Sequence, residues 1–417
     1  MGFKNSIPLF FCYYIGFEHF HQVWDLSWPW LTLGNSLGSS PAFAQFYQFT
    51  GVAGGSLWIL VVGFSLYHAY AGKSLLKPMI WAIVPAILSL GMFFFQTFEE
   101  ENPIQVGLIQ PNYEPHFQKF EIDPFLQVDT IIMQMEEMAK QGAKLMVLPE
   151  TALVDGIDEE FAGEDRKIVA LKKFIKKHPD VAIIGGCDTY RLYDTDSTAT
   201  ARKSKYDEDL YYDIYNTAFY LDSAGLNKRL YHKAKLVPGT EIMPYPGFFS
   251  FLDEVMVSLD GTPNSLGRDY ETFNYYTADS VALAPNICYE SIYGDWTSGF
   301  TRKGANIIAI MSNDGWWGET YGYQQLLDYG KLRAIENRRW IARSGNTGIS
   351  GVISPKGIMK NPSTFWKREA VLAKVYPRTK MTLYAKLGDF INRTLFLVCL
   401  FVFPSICIKW FVGRKSS

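Results

Sequence analysis

Three short stretches of this sequence carry groups that could do chemistry together. The first is Ala282-Leu283-Ala284-Pro285-Asn286-Ile287-Cys288-Tyr289-Glu290, an apolar, strand-like run that ends in a cysteine, a tyrosine and a carboxylate. A thiol at the end of a buried strand is rigidly held, but free cysteines are also common core residues, and this stretch alone supports either reading. The second is Glu150, which follows an apolar run and Pro149; proline fixes the chain's exit and so the carboxylate's direction. In isolation it reads as an exposed loop glutamate. The third is Tyr231-His232-Lys233-Ala234-Lys235-Leu236-Val237-Pro238-Gly239-Thr240-Glu241, which alone reads as a surface basic patch. As a set the three make chemical sense. A thiol with a pKa of about 8.5 needs a base before it works steadily as a nucleophile. A carboxylate whose own pKa is raised by burial can be that base, and an ammonium can stabilise the oxyanion of a tetrahedral intermediate. No histidine of the soluble part joins the set, which argues against a papain-like Cys-His enzyme. In an extended segment Lys233 and Lys235 share a face, so spacing does not choose between them.

Other chemistries find less support. The five cysteines are Cys12, Cys187, Cys288, Cys399 and Cys407, with no CxxC and no Cys/His cluster. Neither a zinc site nor a disulfide framework is indicated. The net charge of −2 suggests no nucleic-acid partner.

The elements that must position these groups follow from periodicity. Residues 104–110 read as a strand, 128–140 as a helix ended by Gly142, and 144–148 as the strand before Glu150. A helix over 167–177 and strands over 181–185, 217–221, 281–285 and 306–311 continue the alternation. A long helix is expected over 323–343 and a strand over 348–354. Strands alternating with helices indicate an α/β architecture with buried strands. Several polar residues lie just beyond strand C-termini, where α/β proteins place ligands.

The flanks differ in character. Aromatics make up 16% of the chain and crowd its first hundred residues, where charges are few. Residues 52–71 and 78–96 are each near the ~20 residues that cross a bilayer. The basic loop 72–77 between them reads as cytoplasmic, which sends everything after Gln96 to the opposite side. A third span is expected from Thr394 to about Val412, followed by Arg414 and Lys415. A further helix over 4–20 would complete a membrane part of residues 1–101. The central domain would cover 102–385, and residues 386–417 would hold the last span and a basic tail. On composition, Trp24, Trp28 and Trp30 read as interfacial anchors.

In combination these motifs resemble the nitrilase (carbon-nitrogen hydrolase) superfamily and, within it, the apolipoprotein N-acyltransferase family, membrane enzymes that finish bacterial lipoproteins. The resemblance rests on Pro149-Glu150 after a strand, Tyr231-x-Lys233-x-x-Leu236-Val237-Pro238-x-x-Glu241, Ile287-Cys288-Tyr289-Glu290, Ser312-Asn313-Asp314-Gly315-Trp316-Trp317-Gly318 and Trp28-Pro29-Trp30-Leu31. It implies an α-β-β-α sandwich flanked by transmembrane helices. It also implies that Glu150 is the general base, Lys233 the oxyanion stabiliser and Cys288 the nucleophile. Glu241 would orient the lysine, while Tyr289 and Glu290 would shape the pocket beside the thiol, with the Tyr289 N–H adding to the oxyanion hole. Substrate contacts would come from Trp30, Asn313, Trp316 and Trp317. Phe120, in Gln118-Lys119-Phe120, stands where the family often has tryptophan. The family has more N-terminal membrane helices than this chain holds, so either the start is truncated or the membrane part is reduced.

The implied reaction is ping-pong acyl transfer from a phospholipid, through a Cys288 thioester, to the α-amine of a diacylglyceryl-cysteine on an apolipoprotein. It needs no metal or soluble cofactor, and a monomer in the bacterial inner membrane, with the catalytic domain outside the cytoplasm, would suffice. The apolar residues Phe248, Phe249, Phe251 and Leu252 would form either a bilayer-dipping loop or a core strand. Two rivals are a membrane-tethered amidase or nitrilase that gives the acyl group to water, and an inactive truncated scaffold.

Overall fold

The structure, a computed structural model, describes residues 3–72, 74–204, 207, 209–245 and 265–415. The segment Phe248–Leu252 therefore lies outside the described residues.

Two mixed sheets carry the central part of the chain. The first contains β1 (Ile104–Gln110), β2 (Leu145–Val147), β3 (Leu153–Asp158), β4 (Ala182–Tyr193), β5 (Arg202–Lys203), β6 (Tyr211–Asp222), β7 (Gly225–Leu226) and β8 (Tyr231–His232). The second contains β9 (Tyr275–Tyr276), β10 (Ala282–Ile287), β11 (Ile307–Ser312), β12 (Trp340–Gly345), β13 (Gly351–Ile353) and β14 (Met359–Lys360), while β15 (Glu369–Val375) returns to pair antiparallel with β1. Among the described residues the strand orders are β15-β1-β2-β4-β6-β5 and β14-β13-β12-β11-β10-β9. Strands β10, β11 and β12 run parallel and are buried throughout, as expected of parallel strands covered on both faces.

The sheets face one another. Val106, Leu108, Val147 and Ile184 share a core with Leu283, Ile308, Ile310 and Val352. The outer face of the first sheet, with Ile109, Met146 and Ile183, packs on α4 (Pro124–Lys140) and α5 (Arg166–Lys177). Both helices begin at capping aspartates: Asp123 accepts from Phe125 N, and Asp165 from Lys167 N and Ile168 N. Against the second sheet lie α6 (Gly294–Arg302) and α7 (Gly322–Asn337). The result is the expected α-β-β-α sandwich.

The expected helix over 323–343 is corrected. It stops at Asn337, Arg338 turns left-handed at φ 49°, and residues 340–345 become β12. The Arg338 guanidinium is held by Gln45 Oε1 at 2.7 Å and by the Pro355 carbonyl, also at 2.7 Å. Parallel pairing of Ile341 and Ala342 with Ile308 and Ala309 then outweighs the local helical pattern.

The flanking helices are α1 (Phe3–Val23), α2 (Tyr47–Tyr70), α3 (Leu76–Phe95), the short α8 (Leu383–Leu387) and α9 (Phe390–Lys415). Among the described residues, α2 and α3 are long and apolar enough to cross a membrane, and α9 is apolar over Phe390–Val402. Gly16 lets α1 approach α9 at Phe396 and Cys399. Helix α2 kinks at Gly51, with φ 61° and no room for a Cβ beside the Tyr384 ring. Just after the kink, Val52 N donates to Glu336 Oε1, and Glu336 is ion-paired with Arg333 of α7. The apolar helices are thus keyed into the sandwich.

The interfacial reading of the tryptophans fails at Trp30. It is 8% exposed, packed against Trp317 with centroids 4.7 Å apart, and donates its indole N–H to Gln325 Oε1. Trp28 is exposed and stacks on Trp30.

Candidate active site

Three strand ends deliver the reactive groups. Pro149 and Glu150 follow β2, and their turn lies against Gly186 of β4, where a Cβ would come within 2.6 Å of Thr151 N. Lys233 follows β8, and its backbone N–H is fixed on the Asn216 carbonyl at 2.8 Å. Cys288 directly follows β10 and opens a short helical turn, Cys288–Ile292, with φ 46°. A left-handed φ on a non-glycine residue costs roughly 1–3 kcal/mol and persists only where its surroundings enforce it.

The side chains converge in the interior. Lys233 Nζ donates to Glu150 Oε1 at 2.9 Å and to Glu241 Oε1 at 2.8 Å. Asn216 Nδ2 bridges the same two carboxylates at 2.8 and 3.1 Å. Glu150 Oε2 accepts from Asn313 N at 3.0 Å, and Glu150 and Cys288 lie near enough for the carboxylate charge to act on the thiol. Glu150 is 4% and Lys233 1% exposed, so neither is the surface group its own stretch suggested.

Burial raises the Cys288 pKa strongly, and the Glu150 charge adds to this against the opposing Lys233 charge. Desolvation opposes the charge on Lys233, but Glu150, Glu241 and Cys288 together hold its pKa well above the usual lysine value. For Glu150 the expectation of a raised pKa is corrected. Burial does raise it, but the Lys233 charge and the hydrogen bonds from Lys233 and Asn216 win, leaving it below the ordinary carboxylate value. The resting site is therefore a neutral thiol beside an ionised carboxylate and a protonated amine. Such a set can move the thiol proton to the carboxylate as the sulfur attacks, and the ammonium can meet the oxyanion that results.

The two lysines separate because the segment leaves extended geometry after β8. Lys235 Nζ lies over the rings of Tyr293 and Trp296, 5.1 and 5.4 Å from their centroids. Glu290 sits wholly buried behind the thiol, accepting from Tyr231 OH at 2.6 Å, Ala234 N at 2.7 Å and Ile287 N at 2.8 Å. It ties the lysine segment to the cysteine strand, and burial pushes its pKa up to about 7. Tyr289 OH donates to the Ser27 carbonyl, joining the cysteine turn to the N-terminal segment.

The remaining expected residues fall in two groups. Phe120 and Trp316 are exposed and stack at 6.5 Å, forming an aromatic rim. Trp30 and Trp317 pack on each other, and Asn313 meets Glu150 through its backbone while its side chain accepts from Asn346 Nδ2. Sequence reasoning missed Asn216 and Ser312. The signal for Asn216 was an amide inside the apolar strand β6, where a buried polar group needs a partner. Ser312 Oγ lies 3.5 Å from Cys288 Sγ and donates to Asp314 Oδ1 at 2.6 Å.

Comparison with known proteins shows what the chain is similar to. Residues 105–380 match the carbon-nitrogen hydrolase family, and residues 3–65 match the apolipoprotein N-acyltransferase N-terminal domain. The apolipoprotein N-acyltransferase of Chlorobaculum tepidum is 26% identical over 412 residues, covering 96% of this chain and 76% of that protein. That of Wigglesworthia glossinidia brevipalpis is 24% identical over 388 residues, covering 91% and 71%. A solved carbon-nitrogen hydrolase from Helicobacter pylori G27 is 15% identical with a TM-score of 0.46, over 65% of this chain and 88% of its own. The matched region takes in Glu150, Lys233 and Cys288 together with both sheets, and the chain belongs to the carbon-nitrogen hydrolase family.

Proposed function

We propose that the protein is an apolipoprotein N-acyltransferase working through Glu150, Lys233 and Cys288. The observation that carries this is their meeting in one buried cluster within a sandwich keyed to apolar helices. In the first half-reaction Cys288 Sγ attacks an ester carbonyl of a phospholipid, most simply at the sn-1 position, and Glu150 takes the thiol proton. Lys233, with the Tyr289 N–H, stabilises the oxyanion. The C–O bond breaks, Glu150 returns the proton to the leaving oxygen, and a lysophospholipid departs. In the second half the α-amine of a diacylglyceryl-cysteine attacks the thioester, Glu150 accepts its proton, and the thiol leaves reprotonated. Glu241 and Asn216 hold Lys233 and Glu150 in register.

On this reading residues 102–385 form the catalytic unit, and residues 1–101 and 386–417 hold it on the bacterial inner membrane as a multi-pass monomer. The basic loop with Lys73 and Lys77 lies in the cytoplasm and the active site on the opposite side. Phe120 and Trp316 meet the lipid, and Trp30 and Trp317 brace the pocket. The test supplies purified protein with phospholipid and a diacylglyceryl-cysteinyl peptide. N-acylated peptide and lysophospholipid should appear in equal amounts. Ammonia release from small amides with no peptide acylation would overturn the reading in favour of an amidase.

A further inference from the structure

Lys119 lies between β1 and α4 and is only 2% exposed. Its ammonium reaches across to the turn that carries Glu150. Nζ donates to the Glu150 carbonyl at 3.0 Å and to Thr151 Oγ1. That turn is strained: Thr151 sits at φ 46°, and Gly186 lies close behind it. The segment holding Lys119 is fixed in turn. Lys119 N donates to the Glu114 carbonyl, and Gln127 Nε2 donates to the Lys119 carbonyl at 2.6 Å. Its opposite face is open and aromatic, with Phe117 and Phe120 exposed and Phe120 stacked on Trp316.

We propose that Lys119 is a positioning residue: it clamps the Glu150–Thr151 backbone, aims the Glu150 carboxylate at Cys288, and ties that aim to the aromatic segment outside. The inference rests on Glu150 being the general base. The ionisable groups that face Lys119 are Asp188, Glu150 and Cys288, with Lys233 and Glu241 beyond Glu150. Burial lowers the Lys119 pKa to about 8, against the opposing pull of those three groups. The clamp is therefore charged below that pH and weakens as pH rises through it.

Two readouts separate this inference from the function on which it rests. Iodoacetamide alkylation of Cys288 needs the thiol proton removed but needs no lipid. Acyl-enzyme formation from labelled phospholipid needs both. Lys119→Met should slow both reactions by about 30–100-fold, the scale of a small misplacement of a catalytic group, with phospholipid KM unchanged. Lys119→Arg should restore most of both rates. It should also remove the fall in acylation expected of the wild type as pH rises through about 8. Alkylation of Lys119→Met at the wild-type rate overturns the inference whatever the lipid assay gives. An alkaline fall shared unchanged by wild type and Lys119→Arg overturns it too, even should Lys119→Met fail to fold. Wild type that alkylates normally but never acylates instead sinks the lipid reading, and the slowing of alkylation in Lys119→Met still measures the clamp.

Discussion

Cys288 lies between two charge clusters of opposite character. On one side Glu150, Lys233 and Glu241 place two carboxylates on a single ammonium. On the other, Asp314 takes both of its oxygens to Arg343 Nη2 at 2.8 Å and also accepts from Ser312. These three groups hold one carboxylate more than they have cations, and Glu150 lies near the thiol. The second is balanced, one acid to one base, and each partner is 1% exposed. A proton has somewhere to go only on the first side. The second side fixes Ser312 and the strand end that borders the sulfur. On the proposed mechanism the same pairing, an acid beside a base, serves reaction in one place and rigidity in the other.

Removing Lys233 should break this contrast most severely. Lys233→Ala leaves the buried Glu150 and the half-buried Glu241 without their counter-charge, and the proposed oxyanion without its cation. Acyl-enzyme formation should fall by at least ~10²–10³-fold, the usual loss for an oxyanion donor. Lys235→Ala, which removes a cation stacked on Tyr293 and Trp296, should keep most activity. Comparable losses in a radiolabelled-lipid assay would contradict the assignment of the oxyanion role to Lys233 over Lys235.

A smaller effect on the reaction, but a clear one on stability, is expected at Asp314. Asp314→Asn strands the Arg343 guanidinium in the interior and should cost about 3–5 kcal/mol, the usual penalty for breaking a buried pair from one side. Thermal unfolding in detergent should show a lowered Tm, while the rate per folded molecule falls far less than in Lys233→Ala. An unchanged Tm with lost chemistry would mean that the balanced cluster also takes part in the reaction.

Much of this arrangement is legible in the chain because local pattern and tertiary role agree. The strands before Glu150 and Cys288 are apolar runs cut off by polar groups, and α2 and α3 are long apolar helices. Where long-range contacts decide, the pattern misleads. The charged stretch after Tyr323 reads as one helix, yet Arg338 finds Gln45 and Pro355, and the chain turns into β12. Trp30 has the composition of an interfacial residue but is claimed by Trp317 and Gln325, almost three hundred positions away. Glu150 looked like a base raised by burial because its own stretch gives no sign of how closely Lys233 would approach. Asn216 and Lys119 bear on the site only through partners dozens of residues distant, and spacing carries no trace of such contacts.

The central claim is that Cys288 carries the acyl chain, and mass spectrometry of the protein given phospholipid without acceptor tests it most directly. The account predicts one acyl chain on the peptide containing Cys288, labile to hydroxylamine as a thioester should be, and absent from Cys288→Ala. Acyl chain retained by Cys288→Ala, or found on a different residue of the wild type, would contradict it.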